Sequence, residues 1–492
     1  MNKIINLKSN VYFTILLVLI VVYLFGFWFR QPNFDEGIIA EWAYWLSKLG
    51  YARSVLYTPF GVGLENTIYV YHKLFTWVAS LIIMVFGMEI APLRVFVFLF
   101  LLGLIASFYH YSVISIHKDF QRKFFLISVI LLLSIALIFK FTFTFRPEIM
   151  ISSLGFLSFL FLFKGNITPQ KNYSILGGVF AGLSFLTHLN GIAYLLSGFI
   201  ILLSIKQFKN LFFYSLAAGV VSILFFADDI SFQAITHFLN GLQSSPDITS
   251  DQFMWYSPLL KIIAEHQRFF HSPIEISLTL LFLFSILFAD KEFRNKHKFL
   301  LSYLLILIIS LGSITHGKTA KYLLLYVPFM VLGITQFLFS VRSLSLWRRN
   351  FYLFFLGTYF VIQAFYIIKQ FYPHHNVKNY GQNILELIPK GSRVMGNDNL
   401  VFAGIDNYEL HSKLTFEFIA DQQHIEKNLE NYLEFAFNHI EEYVVLSKEY
   451  TYEKYWKELH SFNLKKGLPV HDFYKVHFVC DEFTILIINH LN

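Results

Sequence analysis

The 492-residue chain has a single cysteine, Cys480, so it forms no intrachain disulfide and carries no Cys-x-x-Cys metal or redox motif. Charge is scarce too: 14% of residues are Asp, Glu, Lys or Arg, against 56% hydrophobic residues and a mean hydropathy of +0.54. That balance excludes a soluble protein built around one ordinary core and describes a polytopic membrane protein. No small-x-small cleavage site follows Phe29, so the first apolar run, 11–29, reads as a retained helix and not as a signal peptide. The net charge of +7 lies mostly in short loops between apolar runs, which assigns it to membrane topology and not to nucleic-acid binding. No internal repeat and no low-complexity linker is evident.

What is present is a series of long apolar runs, about eleven by length and composition. They are 11–29, 92–113, 124–140, 149–163, 174–187, 191–205, 211–227, 273–289, 299–313, 322–339 and 351–371. With the N-terminus inside, every even-numbered span leads into a basic loop: Lys118, Arg122 and Lys123, then Lys164 and Lys171, then Lys206 and Lys209, then 291–298, then Arg342, Arg348 and Arg349. The other connections, 30–91, 142–148, 187–190 and 228–272, then lie outside, as does the tail. The expected fold class is mainly α: a polytopic helical bundle, 1–371, with interfacial helices in a first external loop, 30–91, and a small α/β extracytoplasmic domain, 372–492. In that tail, helical stretches at 377–388, 425–439 and 452–462 alternate with strand-like ones at 393–396, 443–446, 474–478 and 484–488.

The first loop begins with Arg30-Gln31-Pro32-Asn33-Phe34-Asp35-Glu36, two adjacent carboxylates behind an uncharged span. Asn33 and Glu36 have capping-box spacing, so a helix starts here; Gly50 suits its stop. Ile38, Trp42, Trp45, Leu46 and Leu49 share one face, with Glu41 and Lys48 away from it, which predicts a helix lying in the interface plane. A second helix is expected over 66–86. On a helix Asp35 and Glu36 point about 100° apart, so one can face a cavity while the other caps. Helix capping and solvation explain the pair equally simply.

Four further polar groups fall on the same predicted face. Arg146-Pro147-Glu148 opens a span, where Pro and Glu are also ordinary helix-start residues. Thr187-His188-Leu189-Asn190-Gly191 makes a turn, read either as a plain reversal or as substrate hydrogen bonding by His188 or Asn190. Asp228-Asp229 could hold a divalent cation or simply end a helix in water; no third ligand is identifiable and no cofactor is assigned. Lys318 and Lys321, before Tyr322, sit at a helix N-terminus, read as lipid-facing lysines or as a phosphate site.

These residues resemble the GT-C-type membrane glycosyltransferases, in particular the protein O-mannosyltransferase and aminoarabinose-transferase group. The resemblance rests on Asp35-Glu36 after span one, Ala91-Pro92-Leu93-Arg94 entering span two, Phe145-Arg146-Pro147-Glu148, the run from Gly182 to Gly191, and Ala320-Lys321-Tyr322-Leu323 with Pro328 beyond. It covers about residues 35 to 328. It implies an inverting glycosyltransferase, hexosyl- or pentosyl-, moving sugar from a polyprenyl-phosphate donor to a lipid, glycan or protein acceptor on the outer face of a bacterial plasma membrane. In that reading Asp35 is the general base and Glu36 shapes the pocket. Arg146, Glu148, His188, Asn190 and Tyr322 contact sugar or acceptor, and Lys318 and Lys321 stabilise the departing phosphate. Relatives carry a His-Pro-Pro stretch where this chain has Leu64 to His72, which removes any transferred role for Tyr69 and His72. The competing readings are a transporter or flippase of lipid-linked sugars and a catalytically inactive scaffold. The nearly charge-free span interiors disfavour transport.

Overall fold

A computed structural model describes residues 9–30, 33–58, 64–68, 70–227, 256–315, 317–341, 344–371, 377–448, 453–461 and 464–489. Asp228, Asp229, Tyr69 and His316 lie outside the described residues. The chain divides into two compact units. One comprises Met1–Gln31, Tyr71–Phe75 and Arg94–Pro373, and the other Pro32–Val70, Thr76–Leu93 and His374–Asn492. Two pieces of the first loop therefore group with the tail, where a single cut after residue 371 would have left them with the bundle.

The first unit is helical, and each of the eleven apolar runs contains a helix. Five helices are long and apolar enough to cross a membrane: Asn10–Trp28, Ile90–Ser115, Glu148–Ile167, Phe208–Phe226 and Leu346–Ile368. Two bent pairs raise the number to seven, Lys118–Leu133 with Ala136–Thr142 at 74° and Ser257–Phe269 with Pro273–Leu287 at 104°. Leu189–Ser204, Lys298–Ile314 and Val327–Ser340 are apolar but shorter. The chain is thus an integral membrane protein whose spans are less uniform than eleven equal runs suggest.

The 74° break has a visible cause. At Ser134-Ile135 the helix stops, and the Ala136 amide that would have bonded within it donates to Gln363 Oε1 at 2.8 Å. Gln370 Nε2 donates to the Ala136 carbonyl at 3.0 Å, and the Ser134 and Tyr359 hydroxyls pair at 3.0 Å. The last long helix and its C-terminal turn so replace the lost backbone partners, which a low-dielectric surrounding requires. Small residues set the closest helix packing. A side chain at Gly178 would collide with the Tyr214 carbonyl on Phe208–Ser222, so only glycine permits that approach.

In the second unit, six strands form one sheet: β1 Arg393–Gly396, β2 Glu409–Ser412, β3 Tyr443–Ser447, β4 Pro469–His471, β5 Tyr474–Val479 and β6 Phe483–Ile488. Their order is β2-β1-β3-β6-β5-β4, parallel across β2-β1-β3 and antiparallel beyond. Leu433, Val444, Leu446, Trp456 and Leu486 build its core with Leu429–Asn438 and Glu453–His460. Sequence pattern finds four of these strands and misses β2 and β4, which are short and polar.

The helix Phe34–Leu49 is docked in this same unit. The Ser412 amide donates to the Leu56 carbonyl at 2.9 Å, the Tyr44 hydroxyl bonds Asp406, and Gly37 lies so close to the Asp398 carbonyl that no Cβ fits. Consequently the buried face only partly matches the predicted one. Ile38 is buried, but so are Ala40, Ala43, Tyr44 and Glu41, whereas Trp42, Trp45 and Leu46 are half-buried and Leu49 is 42% exposed. Glu41 is buried because the next segment folds over it: Val55 and Leu56 amides donate to Oε1 at 2.6 and 3.1 Å, and the Ser54 hydroxyl to Oε2 at 2.7 Å. The following helix is also shorter than 66–86, starting at Lys73.

Candidate functional site

The capping box at the start of Phe34–Leu49 forms as its residues dictate. Asn33 Oδ1 accepts from the Asp35 amide at 3.0 Å, and Glu36 Oε2 accepts from the Asn33 amide at 2.7 Å. Glu36 is fully buried in that role, while Asp35 is half-buried. Glu36 is thus the capping carboxylate, and Asp35 stands beside it in the first turn of the helix. Within the same unit a cavity of about 490 Å³ opens beside Trp45, Arg53, Asp406 and Tyr408, where the Arg53 guanidinium stacks on Trp45 at 3.8 Å.

The helical unit assembles a separate polar cluster. Pro147 precedes the helix Glu148–Ile167, and the preceding Arg146 folds back onto its first residue. The guanidinium donates to Glu148 through Nη2 at 2.7 Å and Nε at 3.1 Å, with both side chains buried. His188 leaves the helix Lys171–Thr187 in an extended conformation, and its Nδ1 accepts from the Asn190 amide at 2.9 Å. Gly191 is needed here for space and not for an unusual backbone angle, since a Cβ would strike the Ser184 carbonyl. The Nε2 of His188 meets the Tyr322 hydroxyl at 3.2 Å. Tyr322 in turn carries the Lys321 ammonium over its ring at 5.4 Å.

His72 joins this group, although the motif comparison leaves it without a role. Its ring stacks on His188 with centroids 4.6 Å apart. Burial pushes the His72 pKa down to about 4, with Lys321 lowering it further and Glu148 opposing. His188 is held well below its ordinary value by burial first, then by His72, Lys321 and Arg146. Both imidazoles are therefore neutral at pH 7, each with one N–H to donate and one ring nitrogen to accept.

Beside Tyr322 lies a second set, of which sequence reading found only Lys318. Glu265, buried on Ser257–Phe269, pairs with Arg268 Nε at 2.9 Å and Lys318 Nζ at 3.0 Å, and accepts from the Tyr326 hydroxyl at 2.7 Å. Arg268 lies over the Tyr322 ring at 5.4 Å. Lys318 also donates to the Gly312 and Thr315 carbonyls, so it is held inside this network and not at a lipid-facing surface. The density of charge in Glu265-His266-Gln267-Arg268, within an apolar stretch, is the signal that could have found it.

Arg146, Glu148, His188, Asn190, Lys321 and Tyr322 are thus brought together, with Lys318 reached through Glu265 and Arg268. Four cations against two carboxylates leave the combined cluster positive. Among the described residues no group of three metal-ligating side chains occurs.

No family model matches the chain, and no curated protein matches it in sequence. Solved structures do. ArnT from Cupriavidus metallidurans bound to undecaprenyl phosphate superposes with a TM-score of 0.57 at 12% identity, covering 98% of both chains. Its apo form gives the same score over 97% of this chain. The Archaeoglobus fulgidus oligosaccharyltransferase tethered with an acceptor peptide gives 0.54 at 12% identity, covering 89% of this chain and 69% of that one. At such identities the likeness carries the fold, and the fold of this chain is that of the GT-C-type membrane glycosyltransferases its motifs resemble.

Proposed function

We propose that the chain is an inverting glycosyltransferase that takes a sugar from a polyprenyl-phosphate donor and passes it to an acceptor hydroxyl on the outer face of a bacterial plasma membrane. The observation that carries this reading is the positive, buried cluster around Tyr322, in a chain whose fold matches, over almost its whole length, one solved with undecaprenyl phosphate. In the reaction the acceptor oxygen attacks the anomeric carbon, the bond from that carbon to the phosphate oxygen breaks, and the polyprenyl phosphate departs. Asp35 takes the acceptor's proton, because Glu36 is committed to the cap.

Lys321 and Arg146 stabilise the charge growing on the phosphate, Lys318 contributes through Glu265 and Arg268, and His188 positions the Tyr322 hydroxyl. Glu148 keeps Arg146 in place.

The test uses purified full-length chain with a polyprenyl-phosphate sugar and a hydroxyl acceptor in detergent, where no second compartment exists. Released polyprenyl phosphate together with a glycosylated acceptor supports the reading. Asp35→Asn should abolish transfer with normal membrane insertion; unchanged transfer would remove Asp35 as the base. Absence of any transfer, with the co-purifying lipid identified by mass spectrometry and supplied, returns the chain to the transporter or scaffold reading.

A further inference from the structure

The helix Val327–Ser340 starts beside the Tyr322 cluster and runs about 21 Å away from it at 1.5 Å per residue. At its far end is a cavity of about 610 Å³ that the transferase reading does not use. Phe120, Phe124 and Phe339 line it, the Phe339 ring meeting Phe120 at 6.1 Å and Phe124 at 5.9 Å. Gln336, one turn before Ser340, also lines it and is 4% exposed. Its Nε2 donates to the Tyr111 hydroxyl at 2.6 Å, and its Oε1 has no partner among the described residues. A buried acceptor left unmet is costly, so it points to a donor supplied from outside the chain.

The remaining walls narrow the ligand. His117, His297 and Lys296 offer donors, while Asp290 and Glu292 bring two carboxylates. Leaving the histidines aside, the charged lining groups are one ammonium against two carboxylates, which disfavours a purely anionic ligand. Aromatic faces next to an unmet carbonyl suit an ammonium group, and the Lys296 side suits a phosphate.

We propose that this cavity binds a phosphoethanolamine group, its ammonium donating to Gln336 Oε1 among Phe120, Phe124 and Phe339 and its phosphate resting on Lys296, His117 and His297. The group comes either from an aminophospholipid or from a soluble phosphoethanolamine compound. Ethanolamine and choline headgroups share phosphate and charge, but only the first has N–H donors, so the carbonyl should discriminate between them.

The full-length chain in nanodiscs, with phosphatidylethanolamine, phosphatidylcholine and phosphatidylglycerol offered together and bound lipid read by native mass spectrometry, tests this. The expected preference for ethanolamine over choline is roughly tenfold, the range of one hydrogen bond to a charged donor. Gln336→Met keeps the volume and should level that preference. The exposed Glu292→Lys should shift selection toward phosphatidylglycerol, and it carries the test if the buried variant fails to fold. No ethanolamine preference in the unmodified chain, a preference that survives Gln336→Met, or selection unmoved by Glu292→Lys would each overturn the assignment. Competition by glycerophosphoethanolamine assigns the site to the soluble compound; its failure to compete, with the preference intact, assigns it to the lipid.

Discussion

Replacing Glu41 tests whether the first loop is held by one buried carboxyl. In Glu41→Ala the Val55 and Leu56 amides and the Ser54 hydroxyl lose their acceptor at the wall of the cavity of about 490 Å³ that Glu41 lines. Each stranded donor costs about 1–3 kcal/mol; allowing Ser54 to turn and some water to enter, the expected loss is about 3–5 kcal/mol. Glu41→Gln keeps one oxygen for the paired amides and should cost only about 1 kcal/mol. Burial lifts the Glu41 pKa from 4.5 to about 7, against the opposing pull of its hydrogen bonds. Because the folded value exceeds the unfolded one, folding favours the protonated form. That contribution is complete below about pH 4.5 and disappears as pH rises through about 7, a span worth on the order of 3 kcal/mol. Asp398, also lifted to about 7 by burial, adds a parallel dependence that Glu41→Gln leaves in place. Thermal unfolding of the full chain at pH 5 and pH 7.5, with hydrogen exchange at Val55 and Leu56, measures both effects. If Glu41→Ala shifts exchange at those amides by less than fivefold, or Glu41→Gln leaves the pH dependence unchanged, the anchoring argument is wrong.

Arg146→Ala strands a fully buried Glu148 and should cost about 3–5 kcal/mol, whereas adding Glu148→Gln recovers a large part of it; a double-mutant cycle on unfolding measures the difference. Gly37→Ala forces a methyl onto the Asp398 carbonyl and should destabilise the second unit by about 1–3 kcal/mol, read as earlier unfolding of the sheet by hydrogen exchange. Tyr322→Phe removes only the hydroxyl that meets His188, so stability should fall by about 0.5–1.5 kcal/mol while affinity for the leaving polyprenyl phosphate, measured by titration, falls with it.

The parts of the fold written in local chemistry were legible. The capping box at Asn33 and Glu36 depends on residues three apart and appears as read; the apolar runs depend on length and composition, and each contains a helix, though only five to seven are long enough to cross a membrane. The buried face of Phe34–Leu49 was legible only in part, because Glu41 is buried by donors that arrive from residues 54–56 and its docking partners Asp398, Asp406 and Ser412 come from the far end of the chain. The same limit governs the cluster. Arg146 with Glu148, and His188 with Asn190, are neighbours in sequence and could be singled out. Glu265 with Lys318, and His72 with His188, become neighbours only through helix packing, so their pairing has no local signature.

The broken helix at Ser134 has a bearing on the order in which the protein is made. Its orphaned amide at Ala136 is satisfied by Gln363, 227 residues later in the chain. At about 5–20 residues per second of synthesis, the third apolar segment waits roughly 10–45 s for the group that completes it. During that interval an unpaired backbone donor must find water, lipid headgroup or an insertion factor. Biogenesis of this bundle therefore cannot be strictly sequential, and a chain stopped before Gln363 should leave the third segment open to degradation even though every residue of that segment has been made.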